Sequence, residues 1–315
     1  MTTNDRPANE IRIIRRYDAS LAAVWDAWTD PAQVAAWWGP RGFTITHQSH
    51  DLRPGGIWRF TMHGPDGTDY PNVTLFREVE HQKRLAYDHG ATDERAPHFR
   101  VVATFTAVGD ATELDLRMIL PTPEAAAQAR VFVRKAGGNS TWDRLAEHLE
   151  ARATGREVFV VNRTFDAPRA TLFALWTQPE HLVRWLPPTG FRMEYRRVDV
   201  RTGGAGFFRM WNDAGIELFA AVEYERVEAP EHLVYVQQFR DRDERVARHP
   251  LAPTFPSTMR TAVRFAEEGP SLTRVTLTWE PAGDANADER AVFVGMRTSM
   301  AVGWTGSFDK LEAML

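Results

Sequence analysis

The chain has 315 residues, 43% hydrophobic and 25% charged, with 38 Lys+Arg against 42 Asp+Glu and a net charge of −4. That is the balance of a globular protein with room for two domains, and it gives no electrostatic case for nucleic acid. Cysteine is absent, which removes disulfides, thiolate nucleophiles and Cys-ligated metals together.

Residues 1–10 are polar, lack the apolar core of a signal peptide, and are expected to be disordered. No apolar run approaches the roughly 20 residues that span a bilayer, so no membrane span and a cytoplasmic location are expected. Ile11 to Tyr17 alternates as a strand does. Ser20 can cap the helix that follows, where Leu21, Val24, Trp25 and Trp28 recur at helical spacing. Asp30-Pro31 interrupts that helix and starts another, ending at the Trp37-Trp38-Gly39-Pro40 corner. Strands follow, separated by Arg53-Pro54-Gly55-Gly56 and Asp66-Gly67 turns. Phe99 to Phe105 and Thr112 to Leu116 give the last two. A long helix, Ala125 to Ala151, closes the series; it carries Phe132 and Trp142, with Gly137-Gly138 inside it, where glycine bends a helix or admits a close neighbour.

The order then starts again. Phe165-Asp166-Ala167, Trp176-Thr177-Gln178-Pro179, Trp185 and Asp199-Val200-Arg201-Thr202-Gly203-Gly204 repeat Tyr17-Asp18-Ala19, Trp28-Thr29-Asp30-Pro31, Trp37 and Asp51-Leu52-Arg53-Pro54-Gly55-Gly56. The offset is 148 at both ends (165 − 17 and 204 − 56). Such self-similarity means two copies of one fold. Domains are therefore expected at 11–151 and 158–315, with 152–157 as linker. The second copy carries a longer charged loop from Asp241 to Pro256 and closes with one helix from Asp288 to Leu315 that contains Gly303.

These residues resemble the SRPBCC, or START-like, superfamily. Tyr17-Asp18-Ala19, Val24 to Pro31, Trp37-Trp38-Gly39-Pro40 and Gly55-Gly56, echoed by Phe165 to Pro168, Trp185 and Gly303-Trp304, are similar to its branch named after the activator of Hsp90 ATPase. The resemblance implies an α+β helix-grip fold in two tandem copies, each a curved seven-stranded antiparallel sheet around a long C-terminal helix. It also implies a cavity between sheet and helix that takes a small hydrophobic, amphipathic or aromatic ligand. Two alternatives stay open. One is a cyclase or hydrolase built on polar groups in the first cavity; the other is a protein-interaction module, such as a chaperone partner, with filled cavities and an exposed apolar patch.

The candidate ligand-binding residues in the first copy are Trp38, His47, Arg59, His63, Tyr87 and Trp142; in the second they are Trp185, Trp211, Tyr235 and Trp304. His47 and His50, three apart on a strand, are expected on opposite faces. No metal, no cofactor and no catalytic residue is assigned, since neither a His-x-x-x-His helix nor a facial triad is present. The Gly-Gly turns lack the Lys-Ser/Thr of a phosphate loop and read as tight strand connections. His47/Tyr195, His63/Trp211, Arg59/Phe207 and Trp38/Leu186 make the second interior more apolar, which points to the first copy as the functional one.

Overall fold

A computed structural model describes residues 7–90, 96–135 and 140–315. The Gly137-Gly138 pair and the side chain of Phe132 lie outside the described residues. The chain divides into two compact units, Met1–Gly155 and Arg156–Leu315. In the first, strands β1 (Glu10–Tyr17), β2 (Thr44–His50), β3 (Ile57–His63), β4 (Asp69–Glu80), β5 (Arg84–His89), β6 (Phe99–Val108) and β7 (Ala111–Ile119) pair antiparallel in the order β1-β7-β6-β5-β4-β3-β2. Helices α1 (Leu21–Thr29) and α2 (Pro31–Trp37) connect β1 to β2, and α3 (Pro123–Lys135) and α4 (Ser140–Thr154) end the unit.

Local chemistry explains the helix starts. Ser20 accepts the Ala23 N–H to cap α1, and Asp30 accepts the Ala32 N–H to cap α2, whose first residue is Pro31. One face of α1 (Val24, Trp25, Ala27, Trp28) is buried against the sheet. Trp28 also stacks on Trp142 of α4, ring centroids 5.2 Å apart and 8° from parallel. Burial of such side chains contributes about 1.5–3 kcal/mol each and fixes the final helix across the sheet.

The second unit repeats this plan with β8 (Phe159–Phe165), α5 (Arg169–Thr177), α6 (Pro179–Trp185), β9 (Phe191–Val198), β10 (Ala205–Asn212), β11 (Glu217–Glu228), β12 (His232–Arg240), β13 (Thr258–Gly269) and β14 (Leu272–Pro281). The strand order is again β8-β14-β13-β12-β11-β10-β9. Trp176 stacks on Trp304 as Trp28 does on Trp142, at 6.1 Å and 9°. The Gly-Gly turns are strand connections in both units: Gly55 and Gly203 have φ of 82° and 76°, and a Cβ on Gly56 or Gly204 would lie 2.1 Å from the carbonyl of Asp51 or Asp199.

Several boundaries differ from the sequence expectation. Glu10 already belongs to β1, and beside it the Leu120 N–H donates to the Asn9 carbonyl and the Asn9 amide donates to the Leu120 carbonyl. Residues 152–154, expected in the linker, extend α4 until Gly155, at φ 71°, ends it. In the second unit the closing helix is two, α7 (Ala287–Gly295) and α8 (Arg297–Glu312). At the break between them Met296 flattens to φ −88°, ψ −1°, and its N–H is shared between the Val292 and Phe293 carbonyls.

The outer face of the first sheet holds a buried carboxylate. Asp88 is 1% exposed and accepts from Arg100 Nε at 2.7 Å and Arg77 Nε at 2.8 Å. The Arg100 hydrogen bond, then that from Arg77, holds its carboxyl below the usual range against the opposing cost of burial. A depressed folded pKa stabilises fully above the unfolded value of about 3.9 and is lost as pH falls through the folded value. Asp88→Asn is therefore expected to cost about 1–3 kcal/mol at neutral pH. Urea unfolding should show that difference shrinking below pH of about 4; a penalty independent of pH would refute the assignment.

Candidate functional site

Each unit has a cavity between sheet and final helix, but the two differ in size. The first measures about 170 Å³ and is lined by Trp38, Tyr87 and Trp142 together with His89, Phe99 and Met118. The second measures about 390 Å³. Tyr235 and Trp304 line it at the positions of Tyr87 and Trp142 in the first. Residues beyond the strands also border it. The connection 241–257 contributes His249, Ala252 and Phe255, and α8 contributes Met300 and Gly303. A Cβ on Gly303 would meet nothing within 4 Å, so the helix turns an open side toward the cavity there.

The wall of the second cavity is apolar except for a few hydrogen-bonding groups. Tyr235 of β12 stands opposite Thr261 of β13. Burial pushes the Tyr235 phenol up to about 12. Gln237, two residues along β12, shares the Tyr235 face. His249 accepts the Leu251 N–H on Nδ1 at 3.2 Å, which leaves Nε2 to carry the proton, and burial lowers its pKa. In the first unit the Gln237 position is His89, whose imidazole burial drops to about 4, with neighbouring His98 adding to the effect. Its ring stacks on Phe99 at 4.8 Å.

Five of the ten candidate residues therefore line cavities: Trp38, Tyr87, Trp142, Tyr235 and Trp304. The other five do not. Trp185 is sealed in the core, its Nε1 donating to the Leu175 carbonyl at 2.8 Å. Trp211 lies on the outer face beneath the Arg209 guanidinium, 4.6 Å from its ring. His47 is pinned beside α2, accepting from Trp58 Nε1 at 2.8 Å and bonding the Pro31 carbonyl at 3.0 Å. A bulge between His47 and Ser49 turns His47 and His50 to one side, with rings 6.2 Å apart, which corrects the expectation of opposite faces.

Arg59 and His63 alternate with Trp58, Phe60 and Met62 along β3 and so face outward. His63 Nδ1 meets Asp69 Oδ1 at 2.6 Å and Nε2 meets Thr46 Oγ1 at 2.9 Å. With His63 and Asp69 side chains 36% and 64% exposed, this row is solvated and belongs to neither cavity. The polar constellation expected in the first cavity is thus spread over two faces of the sheet.

His89, Gln237, Thr261 and His249 are cavity residues that the sequence reading did not select. Strand alternation from Tyr87 and Tyr235 carries a signal for His89 and Gln237; nothing comparable marks His249 in its loop. Among the described residues no group of three His, Asp or Glu side chains is placed to hold a metal ion, and no helix is long and apolar enough to cross a membrane.

The rim of each cavity is built differently. In the first unit Arg144 of α4 reaches under the Trp38–Phe43 corner, its Nη1 bonding the carbonyls of Gly39 and Pro40 at 2.9 Å and of Phe43 at 3.0 Å. In the second, Ser307 donates to the Leu186 carbonyl at 3.0 Å and Lys310 to the Pro187 carbonyl.

Solved structures are similar to one unit of this chain or to both. One from Nitrosomonas europaea is 23% identical, covering 47% of this chain and 98% of its own, with a TM-score of 0.43. One from Mycobacterium smegmatis is 26% identical, covering 47% and 92%, with a TM-score of 0.40. The di-domain ARO/CYC protein BexL, from a biosynthetic pathway, covers 96% of this chain and 97% of its own at 15% identity and a TM-score of 0.39. No curated protein matches the sequence. The model of the family described as activator of Hsp90 ATPase homolog 1-like protein matches residues 18–150 and again 166–315. Those two segments take in a helix-grip domain each, and the chain belongs to that family as a tandem pair.

Proposed function

We propose that the chain binds a small hydrophobic or amphipathic molecule in the cavity of its second domain. The observation that carries this is the cavity of about 390 Å³ between β12, β13 and α8, apolar-walled with a few polar groups. That volume falls within the roughly 300–1,000 Å³ of ligand pockets, whereas the first cavity, at about 170 Å³, falls below it. The larger cavity shifts the assignment from the first copy to the second. Apolar walls supply affinity by removing ligand surface from water, and the polar groups orient the ligand. A protein-interaction module would have had its cavity filled instead.

Titration with Nile red, an uncharged dye, tests the proposal. Saturable emission enhancement with one dye per chain is expected. Absence of saturable binding, or two equivalent sites, would count against a single working cavity in the second domain.

A further inference from the structure

The second cavity carries no formal charge in its wall. No Asp, Glu, Lys or Arg lines it. Charged side chains close to it in sequence are engaged elsewhere: Arg248 with Glu289, Arg297 with Glu157 and Lys310 with the Pro187 carbonyl. What remains are neutral hydrogen-bonding groups: Tyr235, Gln237 and Thr261 on the sheet, His249 on the connection, and Ser299 and Ser307 on α8, whose hydroxyls donate to the Met296 and Leu186 carbonyls. Tyr235 and Thr261 are cross-strand neighbours. The carboxamide of Gln237, on the same face, finds no side-chain or backbone partner among the described residues. A carboxamide both donates and accepts, so it suits a hydroxyl, a carbonyl or an amide equally.

We infer that the ligand is an uncharged, largely apolar molecule that presents a hydroxyl, carbonyl or amide to Gln237, and that the cavity rejects carboxylates and ammonium groups of the same shape. The physical reason is desolvation. An ion moved from water into this cavity loses its hydration and meets no counterion, a penalty of several kcal/mol, while a neutral polar group loses far less and regains a hydrogen bond. The titratable wall groups do not alter this near neutral pH. The phenol of Tyr235 is pushed up to about 12 and burial lowers the imidazole of His249, so both stay neutral. The inference rests on the binding proposed above and narrows it to a chemical class.

The test uses the full chain and three ligands on one naphthalene framework, the carboxamide, the carboxylate and the aminomethyl cation, titrated by calorimetry near neutral pH. The carboxamide is expected to bind at least about tenfold more tightly than either ion. In Gln237→Leu, shown by circular dichroism to be folded, that preference should shrink by about 3- to 10-fold, the loss of one hydrogen bond to the carboxamide, while desolvation still disfavours both ions. An ion that binds as tightly as the carboxamide overturns the inference, as does a preference unchanged in Gln237→Leu. If Nile red binds and none of the three does, the ligand class is wrong although the cavity reading stands. If Nile red also fails to bind, both fall together.

Discussion

Gly303→Leu is expected to weaken Nile red binding by about 10- to 100-fold while leaving the chain folded. Gly303 lies within α8 on the cavity wall, and a Cβ there points into open space. A leucine side chain would occupy volume that the ligand needs, and displacing it costs about 1–3 kcal/mol, the usual penalty for overfilling a packed interior. In the first domain a larger residue stands at this place. Thr141, just before Trp142 as Gly303 is just before Trp304, borders the narrower cavity. Stability should move the other way. Glycine inside a helix is about 1 kcal/mol less favourable than alanine, so both Gly303→Ala and Gly303→Leu should unfold at equal or higher urea. Lost binding together with retained or raised stability identifies cavity filling. Undiminished Nile red affinity in Gly303→Leu would place the ligand somewhere else.

Trp185→Ala should have the largest effect on stability, about 3–5 kcal/mol, with little effect on the binding site itself. Trp185 is wholly buried, packs on Trp176 at 4.5 Å, and donates to the Leu175 carbonyl. That carbonyl lies in the last turn of α5, where no intrahelical N–H remains to satisfy it. Trp185→Phe keeps most of the packing but removes the donor, and should cost about 1–3 kcal/mol. In either folded variant Nile red affinity should stay within about twofold of the parent, because this ring does not reach the cavity. A binding loss in Trp185→Phe larger than this would restore the residue to the ligand site.

The scaffold was legible because the chain is written twice. Trp28 with Trp176, and Gly55-Gly56 with Gly203-Gly204, occupy matching places in the two units and do the same physical work. Tyr87 and Tyr235 show the limit of that logic. Their equivalence suggests packing, yet both border cavities, since the same strand position faces the last helix in each copy. Arg59 and His63 could have been placed outward by counting alternation from Trp58 and Phe60. The bulge at His47 could not, because one inserted residue reverses the face of everything beyond it without a sequence mark. Cavity size was also hidden. The second cavity is bordered by the 241–257 connection and by the open side of α8 at Gly303, neither of which periodicity reports.

The unequal corners bear on how a guest would come and go. Arg144 ties the first corner with several bonds from one planar head. At the matching place in the second domain stands Gly306, whose Cβ position is 3.0 Å from the Thr189 hydroxyl, leaving no room for such a tie. There the corner hangs on a serine and a lysine, single contacts that can release one at a time. Local opening costs less where fewer bonds must break together. Under the proposed binding, one helix would set capacity at Gly303 and residence time a turn later, so that lifetime and affinity of a complex could be altered separately.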